Sequence, residues 1–141
     1  DRDLALLYLA IDSHGMAWAA IEKSLSCPAA NDLAERGASL GAKARILLAR
    51  GRVNDALELF GTADVLLQRS ENRHYELYNL LHFLEARSEH ETPFIPDDQP
   101  NVVFAEAQVP RLKSLAKTYG GPPHRDRADR ITDKIFADRE A

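Results

Sequence analysis

An all-α fold is predicted for this chain of 141 residues, and three observations predict it. Apolar residues in the first seventy positions recur at helical rather than alternating spacing. Alanine and leucine, both strong helix formers, dominate that stretch, and proline is absent from it except at Pro28. The length fits a single domain. With 45% hydrophobic and 28% charged residues, the composition excludes collagenous, fibrous and wholly disordered architectures.

The elements follow in order. Leu4, Leu7, Tyr8 and Ile11 line one side of a first helix, expected to stop near Ser13, His14 and Gly15 because glycine accepts the left-handed conformation that ends helices. A second helix spans about Met16 to Leu25 and is closed by Cys27-Pro28. The third, from about Asp32 to Arg50, carries Leu33, Leu40, Ala44, Leu47 and Leu48 and ends at Gly51. Its length allows one bent helix or two pieces meeting near Gly37. A fourth runs from about Asn54 to Gln68, with Asn54 as its N-cap, and a fifth from about Asn72 to Ser88. The prolines at 93, 96 and 100 then forbid regular helix over Thr92 to Pro100. Beyond them come a short helix from about Val102 to Ala107 and a second segment opened by Pro110 as its first helical residue, carrying Leu112, Leu115, Ala116 and Tyr119 to Gly120-Gly121. From Asp126 to Arg139, Ala128, Ile131, Ile135 and Phe136 sit at helical spacing among alternating charges. This is an amphipathic helix suited to covering an apolar face.

A thirty-six-residue shift lays the first two helices on the next two, setting Gly15 on Gly51, Ala20 on Ala56, Leu4 on Leu40 and Ile11 on Leu47. In the second copy, Leu40, Ala44, Leu47, Gly51, Ala56, Phe60 and Ala63 are spaced as in the tetratricopeptide repeat, and residues 2–68 resemble that family. Small residues at Ala44, Ala56 and Ala63 let paired helices approach, while Leu47 and Phe60 fill the space between them. The first copy departs from the pattern, with Tyr8 at a small position, Ser24 at the aromatic one and Cys27 at the last alanine. The resemblance implies a short right-handed stack of antiparallel helical hairpins. Its repeats would span about 2–35 and 38–71, followed by a degenerate third unit over 72–119 interrupted by the proline-rich insertion 92–100, and a covering helix over 124–141. The same shift sets Leu80 on Ala44 and Phe83 on Leu47. The segment from Pro110 to Tyr119 would then replace the missing partner helix, packing Leu112, Leu115 and Tyr119 on Leu80 and Phe83. The alternative is a free C-terminal arm that exchanges into a neighbouring molecule through the proline-rich hinge.

For function, the resemblance implies a module that binds another protein or peptide in a concave groove lined by the first helix of each repeat. Carried over by position, that lining is Leu9, Asp12 and Ser13 from the first repeat and Gly41, Arg45, Leu48 and Ala49 from the second. Arg45 is the strongly basic group among them and would meet an acidic or carboxylate group on the partner. An internal ion pair, with Glu85 or another acid on the adjoining helix, is the competing role for it. A second reading of the chain stays open: a helical accessory region of a larger enzyme or regulator, its groove filled by its own chain, for which the start at Asp1 without an initiator methionine leaves room.

Other classes find less support in the residues. A net charge of -4 and a pI near 5.7 argue against a uniformly basic nucleic-acid surface, although Arg111 to Ala141 carries eight bases against five acids. The longest apolar runs, such as Leu4 to Ile11, fall far short of the ~20 residues of a membrane span. His82 and Glu85, one turn apart with Glu89 beyond, are the closest approach to a metal site, and they lack the histidine pairs of catalytic metal motifs. His74, His82 and His90 do not share a helix face. Cys27 cannot form an internal disulfide, and reads as a packing cysteine in a reducing, cytoplasmic setting. Asp97-Asp98 reads as loop solvation and Gly120-Gly121-Pro122-Pro123 as a hinge, so no enzyme and no cofactor is expected. Tyr75, Tyr78 and Phe83, with Phe94 and Phe104 after them, form either core or an anchor pocket for a peptide.

Overall fold

A computed structural model of the chain describes residues 2–27, 32–90 and 101–140. Among the described residues it contains helices and no strand: α1 (Arg2–Ala10), α2 (His14–Ser26), α3 (Leu33–Ala49), α4 (Val53–Arg69), α5 (Arg73–Glu89), α6 (Asn101–Tyr119) and α7 (Pro122–Glu140). Each helix packs on its neighbours in the chain. The odd-numbered helices also meet one another, α1 on α3, α3 on α5 and α5 on α7. The segment Thr92 to Pro100 and the pair Asp97-Asp98 lie outside the described residues, as does the Phe94 position.

The core divides into three clusters in chain order. Ala5, Ala17 and Ile21 pack with Ala42 and Ile46 to join α1 and α2 to α3. Ala44, Leu47, Ala56, Phe60 and Phe83 join α3 and α4 to α5, and the Phe60 and Phe83 rings stack with centroids 5.8 Å apart. Leu77, Leu80 and Leu81 pack with Leu112, Leu115, Ile131 and Ile135, joining α5, α6 and α7. Leu112 and Leu115 thus share a cluster with Leu80. Phe83 turns instead to Phe60, and Tyr119 lies edge-on to His74.

Several expected boundaries and faces are corrected. The first helix ends at Ala10, and His14 and Gly15 open α2 instead of closing α1. Asp12 takes the left-handed conformation, with φ 63°, and the Ser13 amide bonds back to the Tyr8 carbonyl at 2.8 Å. A short polar side chain tolerates that conformation, so the turn does not require a glycine. Gly51 makes the same turn after α3, with φ 79° and Arg52 N–H donating to the Leu47 carbonyl at 3.0 Å. Because Gly51 reverses the chain at once, α4 starts at Val53 and Asn54 lies inside it rather than capping it. Leu4, Leu7 and Ile11 face outward, and Ala5 is the buried residue of α1. That helix is apolar almost all round, so periodicity alone cannot select its inner face. α3 is one helix through Gly37, where an added Cβ would stand 2.7 Å from Leu67 Cγ; glycine there admits α4.

Asp32 caps α3 by accepting from the amides of Ala34 and Glu35, and Asn72 caps α5 by accepting from Tyr75. Pro110 does not open a helix but sits inside α6, where it removes one intrahelical hydrogen bond. The helix persists because Ala105, Val109, Leu112, Leu115 and Ala116 bury one continuous face spanning the proline. α7 begins at Pro122, four residues earlier than expected, since prolines at a helix start forgo amides that have no intrahelical partner anyway. Cys27 is exposed, contrary to the packing role expected of it, because α2 buries Ala17, Ala20 and Ile21 and ends before it.

Candidate functional site

The face shared by the odd-numbered helices carries two adjoining cavities. The first, of about 420 Å³, is lined by Arg2 and Leu6 of α1, Gly41 and Arg45 of α3, Tyr75, Tyr78 and His82 of α5, and His124 and Arg127 of α7, with Phe60 below. The second, of about 340 Å³, is lined by Leu9 and Asp12, then Arg45, Leu48 and Ala49, then His82, Glu85 and Glu89. Of the groove residues named from the sequence, Gly41 and Arg45 line the first cavity, and Leu9, Asp12, Arg45, Leu48 and Ala49 line the second. Ser13 lines neither; the neighbouring His14 reaches the second cavity and pairs with Asp12 at 2.8 Å.

Arg45 belongs to both cavities. It does not pair with Glu85 within ion-pair distance, because Glu85 receives Arg127 instead, through Nε at 3.2 Å and a second guanidinium nitrogen at 3.1 Å. That outcome corrects the expected internal partner. Burial, then the neighbouring Arg127 charge, push the Arg45 pKa downward, and Glu85 opposes them only in part. An arginine so placed stays cationic at neutral pH, and its charge is incompletely compensated.

His82 sits between these cations. Burial and the charges of Arg45, Arg127 and His124 lower its pKa to about 3, so it is neutral at physiological pH. Arg127 lies 3.2 Å from His82 Nδ1. A guanidinium can only donate, so Nδ1 accepts and the ring proton resides on Nε2. His82 and Glu85, the closest approach to a metal site in the sequence, therefore both face an arginine. Among the described residues no group of three or more His, Cys, Asp or Glu is placed to hold a metal ion.

The cavity wall is braced from several directions. Arg2 donates to Glu35 at 2.7 Å and to the Tyr75 hydroxyl at 2.9 Å, while its guanidinium lies 4.8 Å from the Tyr75 ring centroid; α1, α3 and α5 are tied at one point. The Tyr78 and His124 rings meet at 4.9 Å. Asn79 is buried, its Nδ2 donating to the Phe60 carbonyl at 3.4 Å, and its Oδ1 has no hydrogen-bond partner. That oxygen rests on Gly41, where a Cβ would stand only 2.4 Å away. Gly41 thus sets the spacing of α3 and α5 beneath the cavity.

Arg2, Asn79, His124 and Arg127 were not foreseen as part of the site. A signal existed on α5: Tyr75, Tyr78, His82 and Glu85 repeat the spacing of Ala38, Gly41, Arg45 and Leu48, thirty-seven residues earlier, as a polar and aromatic stripe in a leucine-rich helix. Tyr75 and Tyr78 accordingly line the cavity, and Phe83 is core. No helix among the described residues is long and apolar enough to cross a membrane. Compared with protein-family models, curated proteins and solved structures, the chain matches none.

Proposed function

We propose that this chain is a protein-interaction module of the tetratricopeptide-like kind, a short right-handed stack of helical hairpins that holds an extended peptide along the face of its odd-numbered helices. The observation that carries the reading is the pair of adjoining cavities on that face, with the incompletely compensated Arg45 at their junction. A peptide acid seated there would supply the missing counter-charge and form charge-assisted hydrogen bonds.

The hairpins support the same reading once their register is revised. The turns at Asp12 and Gly51 are thirty-nine residues apart, not thirty-six. This spacing brings Ala5 onto Ala44, Tyr8 onto Leu47, Ala17 onto Ala56, and Ile21 onto Phe60. Ala5, Ala44, Ala17, Ala56, Ile21 and Phe60 are all fully buried. Small residues then stand at both crossing points and large ones between them, in both hairpins. The thirty-six-residue register had put Tyr8 at a small position and Ser24 at a large one.

Selection from a displayed library of random ten-residue peptides, with affinities measured for wild type and Arg45→Glu, tests the proposal. Charge reversal at Arg45 should abolish binding of the selected peptides while circular dichroism and thermal stability stay those of a folded protein. Wild-type affinities should fall with salt. Unchanged affinity in Arg45→Glu would overturn the reading.

A further inference from the structure

The two cavities are arranged in the same order along three helices. α1 contributes Arg2 and Leu6 to the first and Leu9 to the second, with Asp12 just beyond its end; α5 contributes Tyr75 and Tyr78 to the first, Glu85 and Glu89 to the second. Arg45 of α3 and His82 of α5 lie in both. The hollows therefore form one groove that runs with the helices, from the N-terminal part of each toward its C-terminal end, with Arg45 and His82 at the waist.

Charge changes sign along this groove. The first cavity presents Arg2, Arg45 and Arg127 against Asp3. The second presents Asp12, Glu85 and Glu89 against Arg45, with His14 beside Asp12. The Arg127–Glu85 ion pair keeps the same sense, since its guanidinium belongs to the first cavity and its carboxylate to the second. Helix dipoles add to it, because the second cavity gathers the C-terminal ends of α1, α3 and α5, which carry partial negative charge. Seven helical residues separate His82 from Glu89, or about 10 Å of axial rise. About three residues of extended chain span that distance.

We infer that the groove selects its partner by two charges of opposite sign on one extended segment: an acidic side chain beside Arg45 in the first cavity, and a basic side chain, about three residues away, between Asp12 and Glu89 in the second. The inference rests on the peptide-groove reading and adds a rule for which peptides bind. Apolar wall from Leu6, Leu9, Leu48 and Phe60 supplies contact between the two charges without choosing among sequences.

Four fluorescein-labelled ten-residue peptides in one alanine–serine–leucine background test it by anisotropy. One carries Asp and Lys three positions apart; the others carry Asp at both positions, Lys at both, or serine at both. The Asp/Lys peptide should bind at least tenfold tighter than the other three, and the advantage should shrink in high salt. Glu89 is exposed at the end of α5, so Glu89→Lys leaves the core intact. That variant should reverse the ranking, preferring the peptide with two aspartates. Equal affinity of all four peptides for the wild type, or a ranking that Glu89→Lys leaves unaltered, would overturn the two-charge rule while leaving a peptide groove in place. If neither these peptides nor a random library binds, the groove reading falls and the rule with it.

Discussion

Gly41 and His82 show how single residues set the groove. A methyl group at Gly41 would collide with Asn79 Oδ1, and the buried amide that must shift also donates to the Phe60 carbonyl. Gly41→Ala should therefore destabilise by about 1–3 kcal/mol despite alanine's better helix propensity. Gly15→Ala, in a helix with open space around it, should be neutral or stabilising by up to about 1 kcal/mol. Denaturant titration compares the two, and Asn79→Ala in the Gly41→Ala background should recover part of the loss by removing the collision. His82 makes a prediction about pH. Its folded pKa, about 3, lies below the unfolded value of about 6.5, so between those values the unfolded chain binds a proton that the folded chain refuses. Stability from this group is complete above pH 6.5 and declines as pH falls toward 3. His82→Gln keeps an acceptor for Arg127 and cannot titrate. Its stability should be less pH-dependent than wild type over that window, by as much as a few kcal/mol. Parallel profiles would show that burial, with the charges of Arg45, Arg127 and His124, does not hold His82 neutral.

At the scale of elements, α6 is fastened by a buried charge cluster as well as by its apolar face. Arg111 donates to both oxygens of Asp64 on α4, at 3.0 and 2.7 Å, and to Glu76 on α5 at 2.9 Å; Arg73 also pairs with Glu76. Burial opposes the Arg111 charge, but these partners more than offset it and raise its pKa. Arg111→Met would leave Asp64 uncompensated in the interior, and Glu76 with Arg73 alone. It should cost about 3–5 kcal/mol in thermal or chemical unfolding, against less than about 1 kcal/mol for Arg52→Ala, whose pair with Asp55 is exposed. Its long-range part was not legible beforehand, since Arg111 lies far along the chain from Asp64 and Glu76 and nothing local marks them as partners. Helix content was legible, because the 3.6-residue period needs no tertiary information. On the proposed repeat reading the register was nearly so, since thirty-six and thirty-nine differ by about one helical turn. Asp12 makes the turn that the sequence assigned to Gly15, and this is what moves the proposed register. Pro110 misled for the opposite reason, as a local rule that a buried face overrides.

On the scale of the whole molecule, the groove was legible in its α3 part and illegible where α7 contributes. His124 and Arg127 reach Tyr78, His82 and Glu85 only through the packing of α7 on α5, and they are two among the many polar and charged residues outside the apolar face of α7, so nothing singled them out. The same chain-order packing governs how the molecule comes apart. Three core clusters follow one another along the chain, and each is joined to the next through a shared helix, α3 or α5. On the proposed repeat-stack reading, stability is close to a sum of local terms and neighbour interfaces. Ile21 is fully buried in the first cluster and Leu112 in the third. Truncating either to alanine should cost about 2–5 kcal/mol. The two losses should nonetheless be felt in different places. Amide hydrogen exchange in Ile21→Ala should accelerate in α1 and α2 while α6 and α7 keep their protection, and Leu112→Ala should give the converse pattern. Equal acceleration across all helices in both variants would mean that the three clusters open as one cooperative core, and that the groove forms or is lost as a unit with it.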